Sequence, residues 1–236
     1  MAVDQTRLVI LNGEYARFSK AAGLKSQRER MHVPGFGVKE MAEVRSTAED
    51  VFKNPPKDLV IVSKKVDRAL NQYSLKKSKW SGNTVIKKRD DMIGVSGRKA
   101  WNCDVELRED AGIKTVIHEH LHARSISYYD RSTYILYQRL EEGTVELLAQ
   151  EICKKNDVSF RGAYPETVKR LRMIISITKT GDSFDFAKQL FDIPLPMRYN
   201  WLKEKADDVI ATGKLSEKTV KSLNEAVEYM RGKGVK

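Results

Sequence analysis

Three of the chain's four histidines lie within five residues, at His118, His120 and His122. With Glu119 between them, the outer two complete the pattern His-Glu-x-x-His. Residues four positions apart on an α-helix project from the same side, so this spacing brings two imidazoles to one metal ion. The pattern therefore predicts a helix with a zinc site on one face.

The residues around the motif predict that the opposite face of this helix is buried. An apolar stripe recurs there at helical spacing and consists of Ile113, Val116, Ile117, His120 and Leu121. Asp110 is the predicted N-cap. His120 falls on the stripe, so we interpret it as a core histidine rather than a ligand.

The chemistry that the motif predicts is hydrolysis. Zinc with three protein ligands keeps a water molecule and lowers its pKa to about 7, and an adjacent carboxylate can accept the proton of that water. Glu119 is therefore the predicted general base. The alternative interpretation is a polar helix face that binds no metal.

A third ligand is expected in a second helical pattern over residues 132–154, which contains the run Leu-Glu-Glu-Gly-Thr-Val-Glu-Leu-Leu at positions 140–148. Here the chain resembles the gluzincins, the thermolysin-like and aminopeptidase-like metallopeptidases and their minigluzincin relatives. Their third ligand is a Glu on the helix that follows the motif. The thermolysin-like spacing implies Glu142, followed by Gly143. The shorter aminopeptidase-like spacing implies Glu141, and this alternative stays open.

The resemblance covers residues 113–150 and has further implications. It implies that Glu146 hydrogen-bonds a ligand histidine, where thermolysin-like enzymes carry the shorter Asp. It implies a Zn²⁺ cofactor and a peptide or protein substrate. A donor to the oxyanion is also expected, and the sequence does not choose among Tyr128, Tyr129, Tyr134 and Tyr137. The chain is also similar to metallopeptidase-fold proteins encoded by bacteriophages and mobile elements.

The order of predicted elements indicates an α+β fold. Strands are predicted at residues 59–62, 84–86, 92–96 and 101–107, followed by the motif helix and the Glu-bearing helix. Further helices are predicted at residues 165–178, 183–191, 196–212 and 216–231. We expect an N-terminal arm and helix over residues 1–56, with the helix at 39–52. A zincin-like core with a small sheet is expected over 57–156, and a helical C-terminal lobe over 157–236.

Charge and composition leave a second function open. The net charge is +11, and residues 61–100 hold eleven Lys and Arg against three Asp and Glu. This basic region, with Lys76, Lys77, Lys79, Tyr73 and Trp80, is a candidate surface for nucleic acid or a protein partner. The alternative function is thus a non-catalytic zincin-fold binding protein. The intact Glu119 favours the enzyme, because structural zinc sites are normally closed by a fourth protein ligand.

The expected compartment is the cytoplasm. No apolar run has the length of a signal-peptide core or a membrane span. Cys103 and Cys153 are widely spaced, which indicates neither a disulfide framework nor a thiolate zinc site.

Overall fold

The computed structural model describes residues 51–231. Residues 1–50 of the predicted arm, and with them most of the helix predicted at 39–52, lie outside the described residues. The complete helices of the described part are α1 (Leu59–Ala69), α2 (Ile113–Ser125), α3 (Arg131–Lys155), α4 (Pro165–Thr178), α5 (Ser183–Asp192), α6 (Arg198–Ala211) and α7 (Glu217–Tyr229). The strands are β1 (Thr84–Lys87), β2 (Gly97–Lys99) and β3 (Val105–Arg108).

The first predicted strand, at residues 59–62, is wrong, because these residues begin helix α1. The Asp58 side chain accepts hydrogen bonds from the backbone N–H groups of Val60 and Ile61 and so caps the helix. Val62 and Val66, four positions apart, are buried on the same side. The apolar run of four residues is thus the start of a helical stripe. A run of this length does not by itself distinguish a strand from a helix.

The sheet has the strand order β1-β3-β2, with β1 parallel and β2 antiparallel to β3. The central strand buries Val105 and Leu107 completely. Two strand predictions were misplaced. Residues 92–96 form a turn before β2, and the strand predicted at 101–107 begins only at Val105. The edge strand β2 packs against α2, so the sheet positions the motif helix.

Helices α2 and α3 form the centre of the fold. Helix α2 contacts α1, β2, β3 and α3. Its N-cap is Gly112 rather than the predicted Asp110, whose carboxylate instead pairs with the Arg108 guanidinium. Helix α3 begins after Asp130, whose side chain accepts a hydrogen bond of 2.7 Å from Thr133 N. This 25-residue helix covers the predicted Glu-bearing helix with one extra residue at each end.

Four helices follow α3, and each of their ends lies within two residues of its predicted position. Helix α5 packs along α3, and α7 packs on α4 and α6. One hydrophobic core extends from Val51 to Met230 and includes residues from all seven helices and the sheet. The described residues are therefore mixed α and β, mostly helical, with a small sheet. None of their helices combines the length and the apolar character that a membrane crossing requires.

Candidate metal centre

Three side chains from α2 and α3 meet at one point. The Nε2 atoms of His118 and His122 are 3.1 Å apart, as expected for one turn of the same helix face. Glu142 Oε2 lies 3.3 Å from the first and 3.2 Å from the second. All three residues are buried and form a group able to hold a metal ion.

The outer nitrogen of each imidazole faces a carboxylate. His118 Nδ1 is 2.9 Å from Glu146 Oε2, and His122 Nδ1 is 3.0 Å from Glu141 Oε1. An ionised carboxylate only accepts hydrogen bonds, so each Nδ1 must carry the proton. In the neutral imidazoles the Nε2 lone pairs then point at each other and at Glu142. Three electron-donating atoms in such contact repel one another unless a proton or a metal cation lies between them.

The charges of the site favour positive charge on these histidines. Burial lowers the pKa of His122, but the carboxylates of Glu142 and Glu141 outweigh it and raise that pKa well above its usual value. Burial also lowers the pKa of His118, but the hydrogen bonds to Glu142 and Glu146 outweigh burial and raise that pKa. The pKa of Glu142 is held well below its usual range, against its burial, by the two histidines. A divalent cation would satisfy the same electrostatic demand.

The spacing of the three atoms fits a tetrahedral metal. Ligands about 2.0–2.1 Å from a tetrahedral Zn²⁺ lie about 3.3 Å from one another. The observed separations are 3.1, 3.2 and 3.3 Å. Among residues 51–231 these three match one face of a tetrahedron, which would leave a fourth corner for water or substrate. Nitrogen and oxygen donors of this kind suit zinc as well as other transition metals.

Glu141, the alternative third ligand, lies on the other side of His122. Its carboxylate binds His122 Nδ1, Ser125 Oγ at 2.8 Å and Arg198 Nη1 at 2.6 Å. Burial would raise the pKa of Glu141, but the charge of Arg198 and the contact with His122 lower it to about 2. The structure therefore places Glu142, and not Glu141, among the converging atoms, while Glu141 orients an imidazole.

Glu146 has the contact with a ligand histidine that the resemblance implies. It is held by four further donations, from Lys114 Nζ to both oxygens, from Gln150 Nε2 and from the Ala163 backbone N–H. Burial raises the pKa of Glu146, but the contact with His118 and the other hydrogen bonds outweigh burial and lower that pKa to about 2. The longer Glu side chain is accommodated because these groups converge on its Oε1 and Oε2 atoms.

Glu119, the predicted base, lies on the open side of the centre and is 7% exposed. It borders both cavities that open onto the metal centre. A Cβ atom at Gly97 would lie 2.8 Å from Glu119 Cγ and 2.6 Å from Thr115 Cγ2. Gly97 in strand β2 therefore provides the space in which Glu119 lies against the edge of the sheet.

Two cavities meet at Glu119. The larger, of about 670 Å³, is lined by residues 94–97, 112–115 and 159–164 together with His118. The smaller, of about 250 Å³, is bordered by strand β2 and by all three candidate ligands. A chain of substrate passing from one cavity to the other would cross the metal centre.

Two tyrosines of the site could not be selected from the sequence. Tyr134 donates a hydrogen bond of 2.5 Å to Glu142 Oε1. Tyr164, which was not a candidate at all, stacks on His118 with ring centroids 6.0 Å apart. Its backbone adopts the left-handed conformation, with φ 48° and ψ 48°, which costs a non-glycine residue about 1–2 kcal/mol. Such strain is common at functional sites, and here it turns the chain at the start of α4.

His120 lies apart from the metal centre, as its place on the apolar stripe predicts. Its Nε2 accepts from Ser63 Oγ at 2.6 Å, and its Nδ1 is 3.4 Å from Asp67 Oδ1. Ser63, His120 and Asp67 are the residue types of a catalytic triad and contact one another in the same order. However, Ser63 and His120 are both 0% exposed, so no substrate reaches the hydroxyl group. We interpret this chain of contacts as a structural link between α1 and α2.

The predicted basic surface is partly internal. Lys76 Nζ donates to the backbone carbonyls of Phe191 and Ile193 at 2.6 and 3.1 Å, and burial lowers its pKa to about 7. Tyr73 is buried, and Trp80 packs edge-on against His120 at 4.9 Å between ring centroids. Lys76 and Tyr73 are therefore not free to contact a nucleic acid, whereas Trp80 is only partly buried. Binding of nucleic acid by the exposed residues of this region stays a prediction.

Comparison of the chain with protein-family models, with curated proteins and with solved structures gives no match.

Proposed function

We propose that the protein is a zinc-dependent peptidase of the gluzincin type. The observation that carries this proposal is the triangle formed by His118 Nε2, His122 Nε2 and Glu142 Oε2, with sides of 3.1–3.3 Å. The triangle has the dimensions of a three-ligand zinc site and faces two open cavities. A closed structural site would instead present a fourth protein ligand.

His118, His122 and Glu142 would hold the zinc ion, which would supply the Lewis acidity that activates water and polarises the carbonyl group of a substrate. Glu119 accepts the proton of the attacking water and delivers it to the departing amine. Glu119 borders both cavities, and this position supports the assignment. A peptide that extends into both cavities would have its scissile bond beside Glu119.

Tyr134 and Tyr164 are the proposed donors to the oxyanion. Burial and the nearby carboxylate of Glu142 raise the pKa of both hydroxyl groups, so both keep their protons at neutral pH. In the absence of substrate the Tyr134 hydroxyl group donates its single proton to Glu142 Oε1, so it would transfer this hydrogen bond to the substrate oxygen as charge develops there. A hydrogen-bond donor at this place stabilises negative charge that develops on the substrate oxygen.

Strand β2 offers a way to align an extended peptide. Within residues 51–231 it is an edge strand, bound on one side to β3, and it borders both cavities. A peptide that adds to its free edge would receive backbone hydrogen bonds along the line of the metal centre. The substrate class that follows is a peptide or an unfolded segment of a protein.

The test is hydrolysis of a peptide library by the zinc-loaded protein and by its Glu119→Gln variant. Glu119→Gln is expected to lower kcat/KM by about 10²- to 10⁴-fold while zinc content and fold are retained, because the general base alone is removed. Glu225→Gln, the same change at an exposed position of α7, is the matched control and should have wild-type activity. Equal activity of wild type and Glu119→Gln would exclude this mechanism.

A further inference from the structure

A lysine forms part of the wall of the smaller cavity. Lys99, the last residue of β2, is only 8% exposed and borders this cavity together with the candidate ligands. Trp101, Tyr134 and Ile126 add apolar surface to the same wall. The cavity thus combines a cation with surfaces that favour the methylene groups of a side chain.

The direction of Lys99 follows from the pleat of the strand. Successive side chains of a strand point to opposite faces, so Lys99 shares the face of Gly97, which meets helix α2. Arg98 lies on the other face, and its guanidinium binds Glu106 on β3. The position of Lys99 is therefore set by the sheet.

Lys99 has no ion-pair partner among residues 51–231. Its Nζ lies 5.0 Å from the centroid of the Trp101 ring. Burial lowers its pKa, and Cys103, Glu141 and Glu119 oppose this at longer range. Of these carboxylates, Glu141 already binds Arg198 and His122. Because this ammonium group is partly desolvated, a carboxylate of a bound ligand would form a charge-assisted hydrogen bond with it.

We propose that the smaller cavity is a subsite for a carboxylate, with Lys99 as the residue that determines specificity and Trp101 as its apolar wall. This proposal rests on the proposed function and adds a substrate class, namely peptides with a carboxylate next to the cleaved bond. The carboxylate can belong to an Asp or Glu side chain or to the free end of a peptide.

The test compares matched peptides on the zinc-loaded protein. One pair has blocked ends and carries Glu or Gln beside the cleaved bond, and a second pair has no acidic side chain and ends in a free carboxylate or an amide. The wild type should cleave the acidic member of at least one pair about 10- to 100-fold more efficiently in kcat/KM, as expected for one charge-assisted hydrogen bond. The pair that shows the difference identifies the source of the carboxylate.

Lys99→Met should lower kcat/KM for the acidic members to the level of the amide members and so abolish the preference, and Lys99→Glu should reverse it toward peptides with a basic side chain. Lys87→Met is the matched control, since it removes one lysine from β1, the opposite edge of the same sheet. Its preference should equal that of the wild type. A Lys99→Met protein that keeps the preference, or loses activity equally on all peptides, would overturn the proposal.

A binding measurement separates failure of this proposal from failure of the proposed function. Calorimetry on Glu119→Gln and on Glu119→Gln/Lys99→Met measures the affinity for the same peptides without turnover. Binding of acidic peptides that depends on Lys99, with no cleavage by the wild type, would support the subsite and contradict the peptidase. Cleavage by the wild type without preference, and equal affinity of both variants for all peptides, would contradict the subsite alone.

Discussion

Each candidate ligand histidine is held by a carboxylate, and each carboxylate is held by a cation. Glu146 lies between His118 and Lys114, with an Nζ to Oε2 distance of 2.9 Å. On the other side of the centre, Glu141 binds His122 and the fully buried Arg198. Arg198 keeps Glu141 ionised, and His118 itself does most to keep Glu146 ionised, in each case against burial. Each carboxylate fixes the orientation and basicity of its imidazole. Both histidines are therefore positioned by a carboxylate from α3 that is paired with a cation, which is Lys114 of α2 for His118 and Arg198 of α6 for His122.

The buried pair of Glu141 and Arg198 gives a prediction at this scale. Arg198→Met removes the guanidinium partner of the fully buried Glu141 carboxylate and is expected to lower the free energy of unfolding by about 3–5 kcal/mol. Urea denaturation of the metal-free proteins measures the effect. The double variant Glu141→Gln/Arg198→Met removes both charges and should recover a large part of the loss. Equal stability of the single and double variants would contradict this account.

Among the elements, α3 does most to assemble the site. Neighbouring residues on a helix differ by about 100° in direction, so Glu141 and Glu142 approach opposite sides of His122. Glu146, four residues after Glu142, lies on the same face and reaches His118. Gly143 completes this segment, because it faces α4 and allows the two helices to approach closely. A Cβ at this position would lie 2.3 Å from Thr167 Cγ2.

Gly143→Ala is accordingly expected to destabilise the protein in spite of the higher helix propensity of Ala. The added methyl group forces α3 and α4 apart, at a cost of about 1–3 kcal/mol for an overpacked core. Thermal denaturation followed by circular dichroism measures it. Thr167→Ser removes the opposing methyl group, so the double variant Gly143→Ala/Thr167→Ser should be more stable than Gly143→Ala. If Gly143→Ala alone raises the melting temperature, the contact does not limit the packing of these helices.

For the whole molecule, the metal centre connects parts that are distant in the chain. The ligands lie on α2 and α3, β2 borders the cavities, residues 159–164 line the larger cavity, and Arg198 on α6 orients the centre through Glu141. A ligand that binds the folded state stabilises all of these parts together. Zinc at one thousand times its dissociation constant would contribute about 4 kcal/mol.

Removal of zinc by a chelator is therefore expected to lower the melting temperature without unfolding the chain. The core from Val51 to Met230 persists, and the histidines and carboxylates still pair with one another. Circular dichroism and calorimetry with and without chelator measure the shift, and added zinc should reverse it. A His118→Ala/His122→Ala variant should show no response to either reagent. An unchanged melting temperature in the wild type would argue against a zinc centre.

The sequence predicts those features that depend on local spacing. The helical period predicts the bounds of the helices at residues 131–155 and 165–178 to within one residue, because it is repeated over three or more turns. The pair His118 and His122 needs a single helix to share a face. By contrast, residues 59–62 and 92–96 were assigned as strands because a short apolar run has no period that separates strand from helix or turn.

The tertiary structure alone decides which groups meet across elements. The spacing of Glu141 and Glu142 left two candidates for the third ligand, and the rotation of α3 against α2 brings Glu142 Oε2 to both Nε2 atoms. Tyr164, Lys99 and Arg198 reach the centre from three other elements, at separations in sequence over which no period extends. Local hydrogen bonds and periodicity fix a helix within a few turns, whereas the close packing of side chains from distant segments fixes the geometry of a site.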